Sequence, residues 1–296
     1  MNILITGGTG FIGKALCRQL YAQGHTLYVL SRHPDQVNAM IGHTVNAASD
    51  PFGWLDQPMD VVINLAGAPI ADARWSNERK QLLLNSRLGP TQQLVNYIEQ
   101  ADHKPKVMIS GSAIGYYGAH GSEKVPETGS CHDEFAHQLC LAWEAEAIAA
   151  ENHGVRVCIL RTGLVLEADG GLLARLLPPF KLGLGGRLGK GKHYMPWIHR
   201  QDLLNIIFFL IQREDLSGAF NGTAPTPVRN DTFSRILAGT LKRPLLMPLP
   251  AFALRLAFGE MSEMLLTGAR VVPERLLQNG FEFQYKTLRP ALQQIL

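Results

Sequence analysis

The sequence predicts an α/β protein: a doubly wound parallel sheet with a smaller C-terminal lobe. Three observations predict it. The chain opens on an apolar run, Ile3-Leu4-Ile5. A glycine-rich stretch, Thr6 to Gly13 (TGGTGFIG), follows, and then Lys14 to Leu20 with apolar residues at helical spacing. Apolar runs next alternate with amphipathic stretches as far as Leu160, which is how a parallel sheet covered on both faces reads. Beyond Arg161 the chain turns to a glycine-punctuated loop and a proline-rich final third. The boundaries drawn from this are 1–165 for the sheet domain and 166–296 for a mixed region that builds the second lobe, with a small unit starting at about 246.

Strand, glycine turn, helix is the context in which a glycine fingerprint marks a dinucleotide site and a Rossmann-like fold. Gly8-Thr9-Gly10-Phe11-Ile12-Gly13 fits G-x-G-x-x-G, and Gly7 offers a second reading, G-x-x-G-x-x-G. Gly7 or Gly8 permits the tight turn, Gly10 the approach of a pyrophosphate, and Gly13 close helix–sheet packing. The helix start adds unpaired N–H groups. Gly7, Thr9, Gly10, Phe11, Ile12 and Gly13 are therefore expected at the phosphates.

The second strand is Thr26 to Leu30. An NAD site would carry Asp or Glu at its end, roughly 20 residues past the glycines, for the ribose 2′-hydroxyl. Ser31-Arg32-His33 stands there instead, and the nearest carboxylate, Asp35, follows Pro34. A guanidinium suits a 2′-phosphate, so Ser31 and Arg32 point to NADP(H).

A helix is expected over Pro34–Met40, a weak strand near Thr44-Val45, and a buried strand from Asp60 to a small-residue turn at Gly67. Leu65, Ala66 and Gly67 are expected against a ribose. A long helix over Asn77–Gln100 precedes the strand Val107–Ser110. An amphipathic helix over His132–Asn152 precedes the strand Val155–Leu160. After it, the backbone at Arg161 is expected near the nicotinamide carboxamide. Asp169-Gly170-Gly171 reads as a turn. Leu203–Ile211 reads as a buried helix, far short of the roughly 20 residues a membrane span needs. Asn230–Leu241 and Ala251–Leu266 are further helices.

Composition narrows the function. The 296 residues carry a net charge of only +3, with acids and bases spread along the chain. No basic stripe with interleaved aromatics points to nucleic acid, and no membrane partner is expected. The four cysteines form no C-x-x-C pair and no zinc spacing, so no metal is expected. They suit a reducing, cytoplasmic setting, and no signal peptide is expected. The expected partner is a small-molecule substrate. Helices on one face of such sheets often pair, so a homodimer is compatible with this reading.

The motifs TGGTGFIG, NLAG, SGSAIGYYG, the F-x-x-x-L-C-x-x-W-E stretch from Phe135 to Glu144, LRTG, PPF with LGLGG, and WIH followed by Asp202 cover nearly the whole chain. Together they resemble the extended short-chain dehydrogenases/reductases, and more closely their atypical branch of epimerase family proteins. The segment from about Leu246 resembles that branch's small domain of unknown function. The resemblance implies NADP(H) and redox chemistry at a carbonyl or sugar carbon.

It also implies a Tyr-x-x-x-Lys pair, with an upstream Ser or Thr that bonds the substrate oxygen. Ser112 matches the Ser. Aligned on Phe135, the lysine place holds Leu139; aligned on Glu144, the two places hold Ala136 and Cys140. Acid–base work needs a titratable group within hydrogen-bond reach. Tyr116 and Tyr117, brought near Ser112 by the same loop, are the first candidates. His199 is the second, though a structural role ranks ahead for it. Arg74, Trp75, Glu78 and Arg87, and Arg187, Lys190 and Lys192, are in place to line a pocket, with a solvated surface the blander account. The expected function is an NADP(H)-dependent oxidoreductase or epimerase-like enzyme with an unusual proton donor. The rival is a non-catalytic NADP(H)-binding sensor.

Overall fold

The computed structural model describes residues 1–246 and 248–296. In chain order the first region runs β1 (Asn2–Thr6), α1 (Phe11–Ala22), β2 (Thr26–Leu30), α2 (Pro34–Ile41), β3 (Asn46–Ala48), β4 (Val61–Asn64), α3 (Asn77–Gln100), β5 (Val107–Ala113), a short β6 (Lys124–Val125), α4 (Phe135–Ile148) and β7 (Arg156–Thr162). There follow β8 (Leu164–Glu167), α5 (Gly171–Lys181), β9 (Tyr194–Met195), β10 (Trp197–His199), α6 (Arg200–Gln212), β11 (Gly218–Gly222) and β12 (Val228–Arg229). The chain closes with α7 (Asn230–Thr240), α8 (Ala251–Phe258), α9 (Glu263–Leu266), β13 (Arg270–Val271), α10 (Glu274–Gln278) and α11 (Leu288–Ile295).

Seven strands form one sheet in the order β3-β2-β1-β4-β5-β7-β11. Every pairing in it is parallel. Side chains alternate between the faces. Ile3 and Ile5 join Leu16 and Leu20 of α1 and Leu203 and Ile207 of α6 in one core. Leu4, between them, joins Leu94 and Ile98 of α3 and Ala147 of α4 in another. With apolar partners on both faces, each buried Leu or Ile contributes roughly 1.5–3 kcal/mol. A third core lies in the C-terminal lobe, where Leu173, Phe180, Trp197, Phe233 and Leu292 meet.

Several elements differ from expectation. The weak strand falls at Asn46–Ala48, two residues beyond Thr44-Val45, because its register is set by pairing with Tyr28–Leu30. The helix expected over 132–152 is α4, ending at Ile148 in a 3-10 turn that runs to His153. The helix expected over 251–266 is broken by Gly259, whose φ of +58° no helix accepts. β11 and α5 were not expected at all. Asp169-Gly170-Gly171 is a turn between β8 and α5.

Cys17, Cys140 and Cys158 are buried, Cys131 is exposed, and all four are free thiols. No helix among the described residues is long and apolar enough to cross a membrane. No group of three or more His, Cys, Asp or Glu among them is placed to hold a metal.

Candidate functional site

The glycine turn connects β1 to α1 at the carboxyl end of the sheet. Gly7 has a φ of +70°, and a Cβ there would lie 2.4 Å from the Leu65 carbonyl oxygen. A Cβ on Gly13 would lie 2.1 Å from the Gly7 oxygen. Gly7 thus makes the turn and Gly13 lets α1 seat on it, while Gly8 packs against Val29. Gly10 caps α1 with extended backbone and meets only one atom, the Gly7 oxygen at 3.2 Å. That is the open approach a phosphate needs. Phe11 turns its ring away, beneath Gly170 and under the Arg200 guanidinium at 5.1 Å. Its backbone, with those of Thr9 and Ile12, remains at the helix start.

Leu30 pairs with Thr6, so Ser31 and Arg32 emerge directly beside the turn. Ser31 is tied by its N–H to Ala48 O, and its Oγ accepts from His33 N. Arg32 is exposed and makes no hydrogen bond or ion pair with the described residues. Asp35 lies in the first turn of α2.

Beneath the turn, a buried polar ladder joins three adjacent strands to two helices. Thr6 Oγ1 donates to Asn64 Oδ1 at 2.7 Å, and Asn64 Nδ2 donates to Thr91 Oγ1 at 2.8 Å and Ser110 Oγ at 3.2 Å. Trp143 Nε1 donates to Thr91 Oγ1 at 3.0 Å. Ala66 N reaches Thr6 Oγ1, which fixes the Leu65-Ala66-Gly67 backbone against Gly7. Arg87 holds the same loop through Ala68 O, packs over Trp143 and has its pKa lowered by burial. It is a brace for the loop. Trp75 bonds Ile70 O and meets Phe135 edge-on. Arg74 reaches across to Ala257 O at 2.8 Å and Leu256 O. Glu78, Arg187, Lys190 and Lys192 are exposed.

A second buried cluster occupies the ends of β5 and β7. Ser112 pairs with Arg161 in register. Ser112 Oγ donates to Glu144 Oε1 at 2.6 Å. Arg161 forks onto both oxygens of Glu144, at 2.9 and 2.8 Å. Its Nη1 donates to Tyr117 Oη and Glu127 O, both at 3.0 Å. Tyr117 in turn donates to Asn221 Oδ1 at 2.7 Å.

The cluster separates the candidates. Tyr117 is fully buried, its hydroxyl both donates and accepts, and burial pushes its pKa up to about 12. This placement replaces the expected proton-donor role of Tyr117 with a structural one. The Arg161 side chain is likewise held inside the cluster, which leaves only its backbone for a cofactor. The Ser112 proton is committed to Glu144. Tyr116 is half-buried, its ring stacked 3.4 Å from the Arg161 guanidinium carbon, and its hydroxyl bonds no described residue. His199 is structural: Nδ1 accepts from Gln201 N to cap α6, and Nε2 donates to Gln294 Oε1 at 2.7 Å.

On α4, Ala136 and Cys140 look toward this end of β5. A Cβ on Gly115 would lie 3.2 Å from Ala136 Cβ and 3.8 Å from Cys140 Sγ.

Two residues went unnoticed in the sequence. His137 donates through Nδ1 to Tyr116 O at 2.5 Å and packs edge-on against the Tyr116 ring. Thr223, just past β11, is fully buried with a hydroxyl that has no partner among the described residues, the kind of group a ligand satisfies. No spacing rule singles out either one, because both acquire meaning only from the loop folded against them.

A family model described as the NAD dependent epimerase/dehydratase family matches residues 3–221, and a domain of unknown function (DUF1731) matches 249–295. The "Epimerase family protein SDR39U1 homolog, chloroplastic" of Arabidopsis thaliana is 37% identical over 306 residues, spanning 100% of this chain and 87% of the relative. The epimerase family protein YfhF of Bacillus subtilis is 36% identical, spanning 100% and 98%. The crystal structure of the human epimerase family protein SDR39U1 (isoform 2) with NADPH superposes with a TM-score of 0.89 at 32% identity, covering 100% of this chain and 99% of that one.

Proposed function

The chain belongs to the NAD dependent epimerase/dehydratase family, and from that membership we propose that it binds NADP(H) and acts as an oxidoreductase or epimerase-like enzyme on a carbonyl or sugar-type small molecule. The observation that carries the cofactor reading is Arg32. It is an exposed guanidinium without a partner among the described residues, two residues beyond the strand end that flanks the glycine turn, where a carboxylate would favour NAD. The NADPH in the human relative supports the same reading. The cradle at Gly7, Gly10 and Gly13 fits a pyrophosphate, with Thr9, Phe11 and Ile12 offering backbone N–H groups. Ser31 and Arg32 would hold the 2′-phosphate, and the Leu65-Ala66-Gly67 backbone and that of Arg161 would lie along the nicotinamide half. NADP(H), when bound, supplies or accepts a hydride.

The chain's own contribution to proton transfer would come from Tyr116, whose hydroxyl is unengaged among the described residues and whose ring is held between Arg161 and His137. Ser112, anchored by Glu144, would accept rather than donate unless Glu144 releases it. Free thiols throughout suit the cytoplasm.

A second reading has its own support. Aligned on Glu144, the sequence carries Ala136 and Cys140 in the places of the Tyr and the Lys, and the Ser112 and Tyr117 hydroxyls are already committed. That arrangement suits a nucleotide-binding sensor without turnover.

Calorimetric titration with NADPH and NADH tests the cofactor reading. Tight NADPH and weak NADH binding is expected, and Arg32→Asp should lower NADPH affinity at least roughly tenfold more than NADH affinity. Equal losses would remove the 2′-phosphate argument.

A further inference from the structure

The near-even charge balance of the whole chain conceals an asymmetry. No Asp or Glu occurs between Asp169 and Asp202, nor between Asp231 and Glu260. These two segments hold ten of the 28 Lys and Arg residues, so the remainder of the chain is net acidic. The two segments also run side by side. Gly189 N donates to Leu249 O at 2.8 Å, Leu249 N donates to Arg187 O at 2.9 Å, and a Cβ on Gly183 would touch Pro244 at 3.5 Å.

The same edge also carries exposed apolar side chains. The five most exposed large apolar side chains among the described residues are Leu256 (76%), Leu182 (75%), Phe252 (73%), Leu246 (69%) and Leu184 (58%). All five lie on these two adjoining segments. Phe252 and Leu256 are four residues apart and share the outer face of α8, while Leu254 turns into the protein. Soluble surfaces scatter such residues singly, and clustering marks an interaction site. Around them Lys181, Arg187, Lys190, Lys242 and Arg243 are exposed and belong to no ion pair among the described residues. The nearby carboxylates Glu260 and Glu263 are engaged by Lys80 and Arg255.

We propose that this edge docks on an anionic lipid surface. The leucines and Phe252 would enter the headgroup boundary, and the lysines and arginines would meet lipid phosphates. Peripheral attachment draws on both terms, buried apolar area and cationic attraction, and needs no spanning segment. The lack of a span, which led to the expectation of no membrane partner, therefore does not bear on it. A second copy of the chain fits less well. A self-complementary interface would bring the unpaired cations of both copies into one contact, and like charges facing each other are costly.

The test is flotation of the full chain with phosphatidylcholine vesicles, with and without about 30 mol % phosphatidylglycerol. Salt-sensitive binding to the anionic vesicles and weak binding to the neutral ones is expected. The Phe252→Gln/Leu256→Gln variant should lower vesicle affinity at least roughly tenfold. The Lys181→Glu/Lys242→Glu/Arg243→Glu variant should lose roughly fivefold per cation. Both should keep the wild-type Tm and NADPH titration, which shows the fold intact. No flotation with anionic vesicles, equal flotation with neutral ones, or wild-type flotation by both variants would overturn the proposal. So would a sedimentation-velocity dimer that Phe252→Gln/Leu256→Gln dissociates, because the edge would then belong to a second copy.

Discussion

Tyr116 and Tyr117 are neighbours in the sequence with opposite surroundings. Tyr117 is a buried strut whose hydroxyl links Arg161 to Asn221. Tyr116 lies flat on the same guanidinium, its hydroxyl unengaged among the described residues. Phenylalanine at the two positions should therefore separate chemistry from stability. Tyr116→Phe should lower any hydride turnover at least roughly 100-fold and leave the urea midpoint unchanged. Tyr117→Phe should cost about 1–3 kcal/mol of stability, because buried partners lose a hydrogen bond. Turnover retained in Tyr116→Phe would sink the assignment. Tyr117 also carries a pH signature. Its folded pKa, about 12, lies above the unfolded value of 10.0. The unfolded phenol ionises first, so this contribution is fully present below pH 10 and is lost as pH rises toward 12. Relative to Tyr117→Phe, the wild type should lose about 2–3 kcal/mol across that window. Parallel curves in urea titrations at stepped pH would show that the hydroxyl is not buried in solution.

At the scale of elements, the C-terminal segment is fastened to α6 by one carboxylate. Asp202 is fully buried, with Oδ1 accepting from Gln284 N at 2.8 Å and Oδ2 from Tyr285 N at 2.9 Å. Asp202→Ala leaves two part-buried N–H groups without their acceptor and should cost about 1–3 kcal/mol. It should also open residues 284–296 to limited proteolysis; a digestion pattern like the wild type's would argue that α11 is held by its apolar face alone. Elements of this kind mark the limit of what the sequence shows. β1, β2, β4 and β5 were legible because each is an apolar run buried on both faces. The glycine cradle was legible because steric demands at Gly7 and Gly13 leave a compositional mark. β11, Gly-Ala-Phe-Asn-Gly, has glycines at both ends and becomes a strand only by pairing with Cys158–Thr162. α5 contains Pro178 and Pro179, which lower helix propensity, and is stabilised by burying Leu173, Leu177 and Phe180. The Ser112–Glu144–Arg161 cluster joins residues that share no local pattern. Its charges look like ordinary surface residues until the strands are placed.

Across the whole molecule, the division suggested by the sequence at about residue 165 cuts through a shared structure. β11 completes the sheet beside β7, and α6 covers the face that Ile3, Ile5, Val107 and Cys158 present. Arg156, near the start of β7, donates to the carbonyls of Leu210, Ile211 and Leu216. Asn221, from β11, supports Tyr117 and through it the candidate site. A fragment ending at residue 165 would expose the edge of β7 and strip one face of the sheet, conditions that favour aggregation. We therefore expect residues 1–165 alone to be insoluble, or soluble without a cooperative transition. The full chain should unfold in a single calorimetric transition whose calorimetric and van't Hoff enthalpies agree. NADPH at about 100 times its Kd should raise the stability of the whole chain by about 2.7 kcal/mol. Two resolved transitions, only one of them shifted by NADPH, would show instead that the lobe folds independently of the nucleotide domain.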